Sequence, residues 1–186
     1  SRSIDRLLRF LSDNPDANIV RQRLIEAHLD SENVDRALAV AKAGIEVDSS
    51  SSEWYQRLGD LQIRANNDIG EAVKAYIQAI QLEPSVSLLM RIDEVTRTDQ
   101  QLPDQELLTM SKGALSKLHP IAGAIEAKAL QNLGRNRDAL LAMERSWKVF
   151  QYAIDNGWIP ALSTGSWFLD LQDLFKDNSE AGEEFV

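Results

Sequence analysis

The chain predicts an all-α fold of antiparallel helix pairs. Three observations carry this: a self-similarity of 34 to 35 residues, small residues at fixed places within each period, and long runs of helix-favouring residues. Ile25 to Gly59 is 34 residues, while Ala37 to Ala72, Ala41 to Tyr76 and Gly44 to Ala79 are each 35. The extra residue falls in the polar turn Asn66-Asn67-Asp68, where an insertion costs little. Gly59 to Ala127 is 68 residues and Ala72 to Ala139 is 67, so the register carries on beyond the middle of the chain. Small residues recur because paired helices need Gly or Ala where their backbones come nearest, with Leu58, Tyr76 and Leu130 filling the remaining space.

Taken in order, residues 2–13 place Ile4, Leu7, Leu8 and Leu11 on one helical face and close at Asn14-Pro15. They read as the second helix of a truncated preceding unit (residues 1–15), with both chain ends cut from a longer polypeptide. The apolar face of this helix is then covered by another molecule or left partly exposed. Residues 18–49 and 52–84 form the first two pairs, with helix-rich stretches at Arg36 to Glu46 and Glu71 to Gln81 and a closing Pro84. Residues 85–119 form a degenerate pair, Val86 to Arg97 and Asp104 to Leu118, split by Gln100-Gln101-Leu102-Pro103. Residues 120–156 form the fourth, whose second helix runs from Asn136 to a stop at Asn156-Gly157. In 157–186, Ser163 or Ser166 opens an amphipathic helix with Trp167, Phe168, Leu171, Leu174 and Phe175 on one side and Asp170, Asp173 and Asp177 on the other. It reads as a cap over the end of the stack.

Leu58-Gly59, Ala72, Tyr76, Ala79 and Pro84 together resemble the signature of the tetratricopeptide repeat. The match covers residues 18 to about 150 and is strongest in 53–84 and 121–146. The resemblance implies a right-handed α-solenoid of about four repeats plus the C-terminal cap, as one domain. It departs from the pattern where Tyr55, with Trp54 beside it, holds the aromatic position and where Gln62 replaces a tyrosine. His28 occupies a place where the repeat carries an aromatic, so it reads as a packing residue.

Composition narrows the function. A formal charge of −9 disfavours nucleic-acid phosphates and anionic membranes, and no apolar run is long enough to span a bilayer. With Cys 0, disulfides, thiolate zinc sites and cysteine nucleophiles are excluded. Neither His28 nor His119 lies in a metal-ligand spacing, and no phosphate-binding glycine loop occurs. Asp177, Ser179 and Gly182 fall at calcium-loop spacings, but Ala181 stands where an oxygen ligand is needed. The expectation is therefore a noncatalytic module with no cofactor and no metal, whose partner is a protein or peptide. No address is legible, and the cytoplasm is the default.

In a tetratricopeptide array the first helix of each pair lines a concave groove. That rule assigns the partner-binding face to Gln22 and Glu26 in the first pair, with Ile19 and Leu29 beside them. Gln56, Asp60 and Arg64 follow in the second, Arg91 in the third, and Lys128 and Gln131 in the fourth. The positions that hold a terminal carboxylate in chaperone-tail receptors are Gln22, Glu26, Arg57, Leu88 and Ile92 here, and Glu26 repels such a group. A segment with both apolar anchors and charge is the expected ligand. The second reading is a structural or oligomerising segment, in which the apolar edges at Ile4 to Leu11 and Trp167 to Phe175 pair two copies. The third is an accessory domain of a larger protein.

Overall fold

The structure is a computed structural model, and it describes residues 2–66, 68–96, 102–112 and 119–157. Among these residues every regular element is helical. The helices are α1 (Arg2–Asp13), α2 (Asn18–Asp30), α3 (Val34–Val47), α4 (Ser52–Asn66), α5 (Ile69–Leu82), α6 (Val86–Thr96), α7 (Asp104–Ser111), α8 (Pro120–Asn132) and α9 (Asn136–Asp155). The chain divides into two compact units, with the boundary inside α6 between Leu88 and Leu89.

The first unit packs α1 on α2, α2 on α3, α3 on α4 and α4 on α5. In α2 the buried residues Arg21, Leu24, Ile25 and His28 follow the three-then-four spacing of one helical stripe. Of these, Ile25 packs with Ala37 and Ala41 of α3, which are fully buried and let the two backbones close up. The core cluster of Ile25, Ala37, Ala41, Trp54 and Leu61 joins these two helices to α4, and Leu29, Val34, Leu38, Val40 and Ile45 pack around it. Trp54 is the large buried aromatic here, whereas Tyr55 is only half-buried. The resemblance pointed to Tyr55; Trp54 goes in because Gly44 of α3 leaves room for its indole.

Local chemistry sets the helix ends. Asn33 caps α3 by accepting from the Arg36 N–H at 3.3 Å, and Asp68 caps α5 by accepting from the Glu71 N–H at 3.1 Å. The α2–α3 turn closes with the Asn33 N–H donating to the His28 carbonyl at 2.9 Å. That closure places Glu32 at φ 56, in the left-handed region. The matching turn between α8 and α9 uses Gly134 at φ 73, with the Arg135 N–H donating to the Leu130 carbonyl at 2.8 Å. Glycine takes that conformation without a Cβ penalty. Glu32→Gly is therefore expected to raise stability by about 0.5–1 kcal/mol, read as a higher urea midpoint at unchanged slope.

The second unit packs α7 on α8 and α8 on α9. Gly123 of α8 is the point of closest approach, since a Cβ there would lie 2.7 Å from Ser146 Cβ. The buried Ser146 hydroxyl donates to the Pro120 carbonyl at 2.7 Å, and Arg145 donates to Glu126 at 3.0 Å. The helix α7 ends at Ser111 with Lys112 as its cap; the rest of the expected Asp104 to Leu118 stretch, from 113 on, lies outside the described residues. The expected capping helix with Trp167 to Phe175, and the spacings at Asp177, lie outside the described residues.

Candidate functional site

In the first unit, α2 and α4 open their respective pairs and are linked by a hydrogen bond from Gln22 Nε2 to Glu53 Oε1. Along α2 the sequence-predicted residues follow one stripe: Ile19 is 71% exposed, Gln22 is half-buried by its bond to Glu53, and Glu26 is exposed. On α4, Gln56 is half-buried and Arg64 exposed. These polar groups lie outside the core cluster, so packing does not account for them.

Two residues of the expected face turn out to have internal duties. Asp60 is half-buried, and its Oδ1 accepts from the Tyr76 hydroxyl at 2.7 Å, tying α4 to α5. Its carboxylate is committed to the pair. Leu29 packs against the core cluster rather than presenting itself outward. Sequence spacing placed both on the first-helix face but carried no sign that Tyr76 reaches back to claim Asp60.

The remaining predicted residues belong to the second unit. Arg91 is exposed on α6, and Lys128 and Gln131 are half-buried on α8, one turn apart with Ala124 preceding them. A cavity of ≈ 600 Å³ along α8 and α9 was not foreseen. Leu130, Leu141, Ala142 and Val149 supply its apolar lining, and Lys112, Arg135, Arg145 and Lys148 bring positive charge alongside Glu126 and Asp138. Arg135, Arg145 and Lys148 are paired with Asp138, Glu126 and Glu144, and Lys112 joins them in the cavity wall.

Both histidines take structural places. His28 is 3% exposed, and its pKa is lowered first by burial and then by the Arg36 charge. His119 caps α8 by accepting from the Ile121 N–H at its Nδ1, 3.3 Å away, and burial lowers its pKa too. A lowered folded pKa means that acid protonates the unfolded chain first. The stability these neutral rings give is thus intact above the unfolded value near about 6.5, and is lost as pH falls below it. Melting profiles between about pH 7 and 5 should flatten in a His28→Leu, His119→Asn variant, because asparagine keeps the cap without titrating there. An unchanged slope would assign the pH dependence to other groups. Among the described residues, no group of three or more His, Asp or Glu side chains is placed to hold a metal ion.

Antiparallel helix pairs with small residues at the crossings, repeated along the chain, define a helical-repeat protein of tetratricopeptide-like fold. Solved structures agree. The crystal structure of MamA protein is similar at TM-score 0.53 and 15% identity, over 82% of this chain and 83% of that one. A second MamA crystal structure gives 0.51 and 15%, over 82% and 89%. The structure of Naa15/Naa10 bound to HypK-THB gives 0.56 and 21%, over 78% of this chain but only 22% of that chain. MamA is a TPR-like protein and Naa15 contains such repeats, so the likeness establishes the fold. No family model and no curated protein sequence matches the chain.

Proposed function

We propose that this chain is a noncatalytic interaction module that holds a segment of another protein on the first-helix faces of its repeats. One observation carries the reading: α2 and α4 present Ile19, Gln22, Glu26, Gln56 and Arg64 on adjacent helices outside the core cluster. An extended or helical segment with an apolar anchor for Ile19 and charges opposite Glu26 and Arg64 fits that face. In the second unit, Arg91, Lys128 and Gln131 supply the same kind of contact for a partner bound there. The solved Naa15/Naa10 structure with HypK-THB contains a similar repeat fold in a protein complex, and this supports the class of function. No cofactor has a part in it.

Charge reversal tests the reading. A partner retained from lysate by the immobilised chain should bind a Glu26→Arg, Arg64→Glu variant about tenfold more weakly or worse, with the helical spectrum unchanged. An Arg91→Glu, Lys128→Glu variant tests the second unit in the same way. Full retention by both variants would move the site elsewhere and sink the proposal, as would catalytic turnover by the purified chain.

A further inference from the structure

The fourth pair departs from the repeat at two positions of its first helix. Adding 68 residues to Tyr55 and Leu58 of α4, both half-buried, gives Gly123 and Glu126 of α8. No side chain stands at the first of these places, and a carboxylate stands at the second. Both line the cavity of ≈ 600 Å³ along α8 and α9. That volume far exceeds the roughly 30 Å³ share of one water and falls in the range of ligand pockets.

Glu126 is only 7% exposed. Its Oε1 accepts from Arg145 at 3.0 Å, while its Oε2 accepts no hydrogen bond among the described residues. Unlike Gln62 Oε1, this oxygen is not sealed off, so a donor entering the cavity can reach it. A carboxylate drawn this far out of water gains from a second donor. The surrounding charges decide which kind. Arg135 is bonded to Asp138 at 2.6 Å and Lys148 to Glu144 at 2.5 Å, so an anion finds most of the cations engaged and approaches Glu126 besides. An amine or guanidinium would meet Lys112, Arg135, Arg145 and Lys148 together. An uncharged donor meets neither objection. Its carrier must be apolar, because Leu130, Leu141 and Val149 supply the rest of the wall.

We propose that the α8–α9 cavity receives a tyrosine side chain of a partner protein, its ring against Leu141 and Val149 and its hydroxyl donating to Glu126 Oε2. Tyrosine joins an apolar ring to a neutral donor, and an O–H bond to a carboxylate is among the stronger hydrogen bonds. None of the chain's three tyrosines, Tyr55, Tyr76 and Tyr152, lines the cavity, so this one comes from another molecule. Glu126 and Lys128 lie about 200° apart round α8. The cavity is therefore a different surface from the Lys128 and Gln131 face, and either assignment can fail without the other.

The test uses the intact chain with three probes, the N-acetyl amides of tyrosine, phenylalanine and tryptophan, followed by the amide NMR signals of Gly123 and Ala142. The tyrosine amide is expected to bind about tenfold more tightly than the phenylalanine amide, whose ring covers Glu126 without giving it a donor. Glu126→Leu, which restores the residue type of Leu58, should bring these two probes to equal affinity with an unchanged helical spectrum. Arg145 tolerates the loss of its partner because its side chain is 63% exposed. Leu141→Ala should weaken both probes about threefold and leave their ratio as it was. The proposal is overturned if the tyrosine amide leaves both signals in place, or if it binds no better than the phenylalanine amide. A tyrosine preference that survives Glu126→Leu also overturns it. Tighter binding of the tryptophan amide would replace tyrosine with an indole donor, and dimers abolished by Tyr152→Ala would replace the partner with a second copy.

Discussion

Trp54→Ala is expected to cost about 3–5 kcal/mol, the largest effect of a single substitution in the first unit. The indole is 2% exposed and sits in the cluster that joins α2, α3 and α4. Its ring lies against Gly44, where a glycine leaves no Cβ to fall into the space that truncation would open. The loss also strips Arg21. This arginine is 5% exposed, donates to the Pro15 carbonyl at 2.6 Å and to Asn18 at 3.3 Å, and has its guanidinium 5.8 Å from the Trp54 ring centroid. Removing the ring leaves a buried cation with less to offset its desolvation. Urea unfolding of the variant measures the cost, and a loss below about 1 kcal/mol would mean that the cluster repacks around the gap.

Gly59→Val should cost about 2–3 kcal/mol by overpacking. A Cβ at this position would lie 2.6 Å from Tyr76 Cε1, inside any tolerable contact. Tyr76 cannot swing away cheaply, because it is 1% exposed and its hydroxyl is held by Asp60 at 2.7 Å. Valine is also a somewhat better helix former than glycine, so the measured loss is the clash less a few tenths of a kcal/mol. A double-mutant cycle isolates the clash. Beside Tyr76→Ala the same Gly59→Val change should be neutral or stabilising, since it then fills space rather than contesting it. A penalty that persists without the tyrosine ring would trace the cost to the helix backbone instead.

The helices were legible because small residues keep a constant spacing where backbones cross, and a Cβ added at Gly44, Gly59 or Gly123 would lie only 2.6 to 2.7 Å from its nearest neighbour. The positions Gly44, Gly59, Ala72, Tyr76 and Ala79 could be aligned by number alone. The candidate site was less legible. Asp60 and Arg64 are one turn apart on the same helix, yet Tyr76 from α5 engages Asp60 and Arg64 stays exposed. The side chain from the second helix decides between them. Gln62 shows the same limit: its Oε1 is buried without a hydrogen-bond partner, a cost that its polarity in the sequence would not suggest.

By itself the sequence determined the fold class, the repeat spacing and the absence of cysteine chemistry. These are local or periodic properties, set by composition, helix propensity and closest-approach sterics. Tertiary structure alone decided that Trp54 rather than Tyr55 enters the core, that Asp60 binds Tyr76, and that Lys112 lines one cavity with Arg145 and Lys148 of α9. Each of these depends on which side chain arrives from a different helix, and such arrivals leave no periodic mark in the chain.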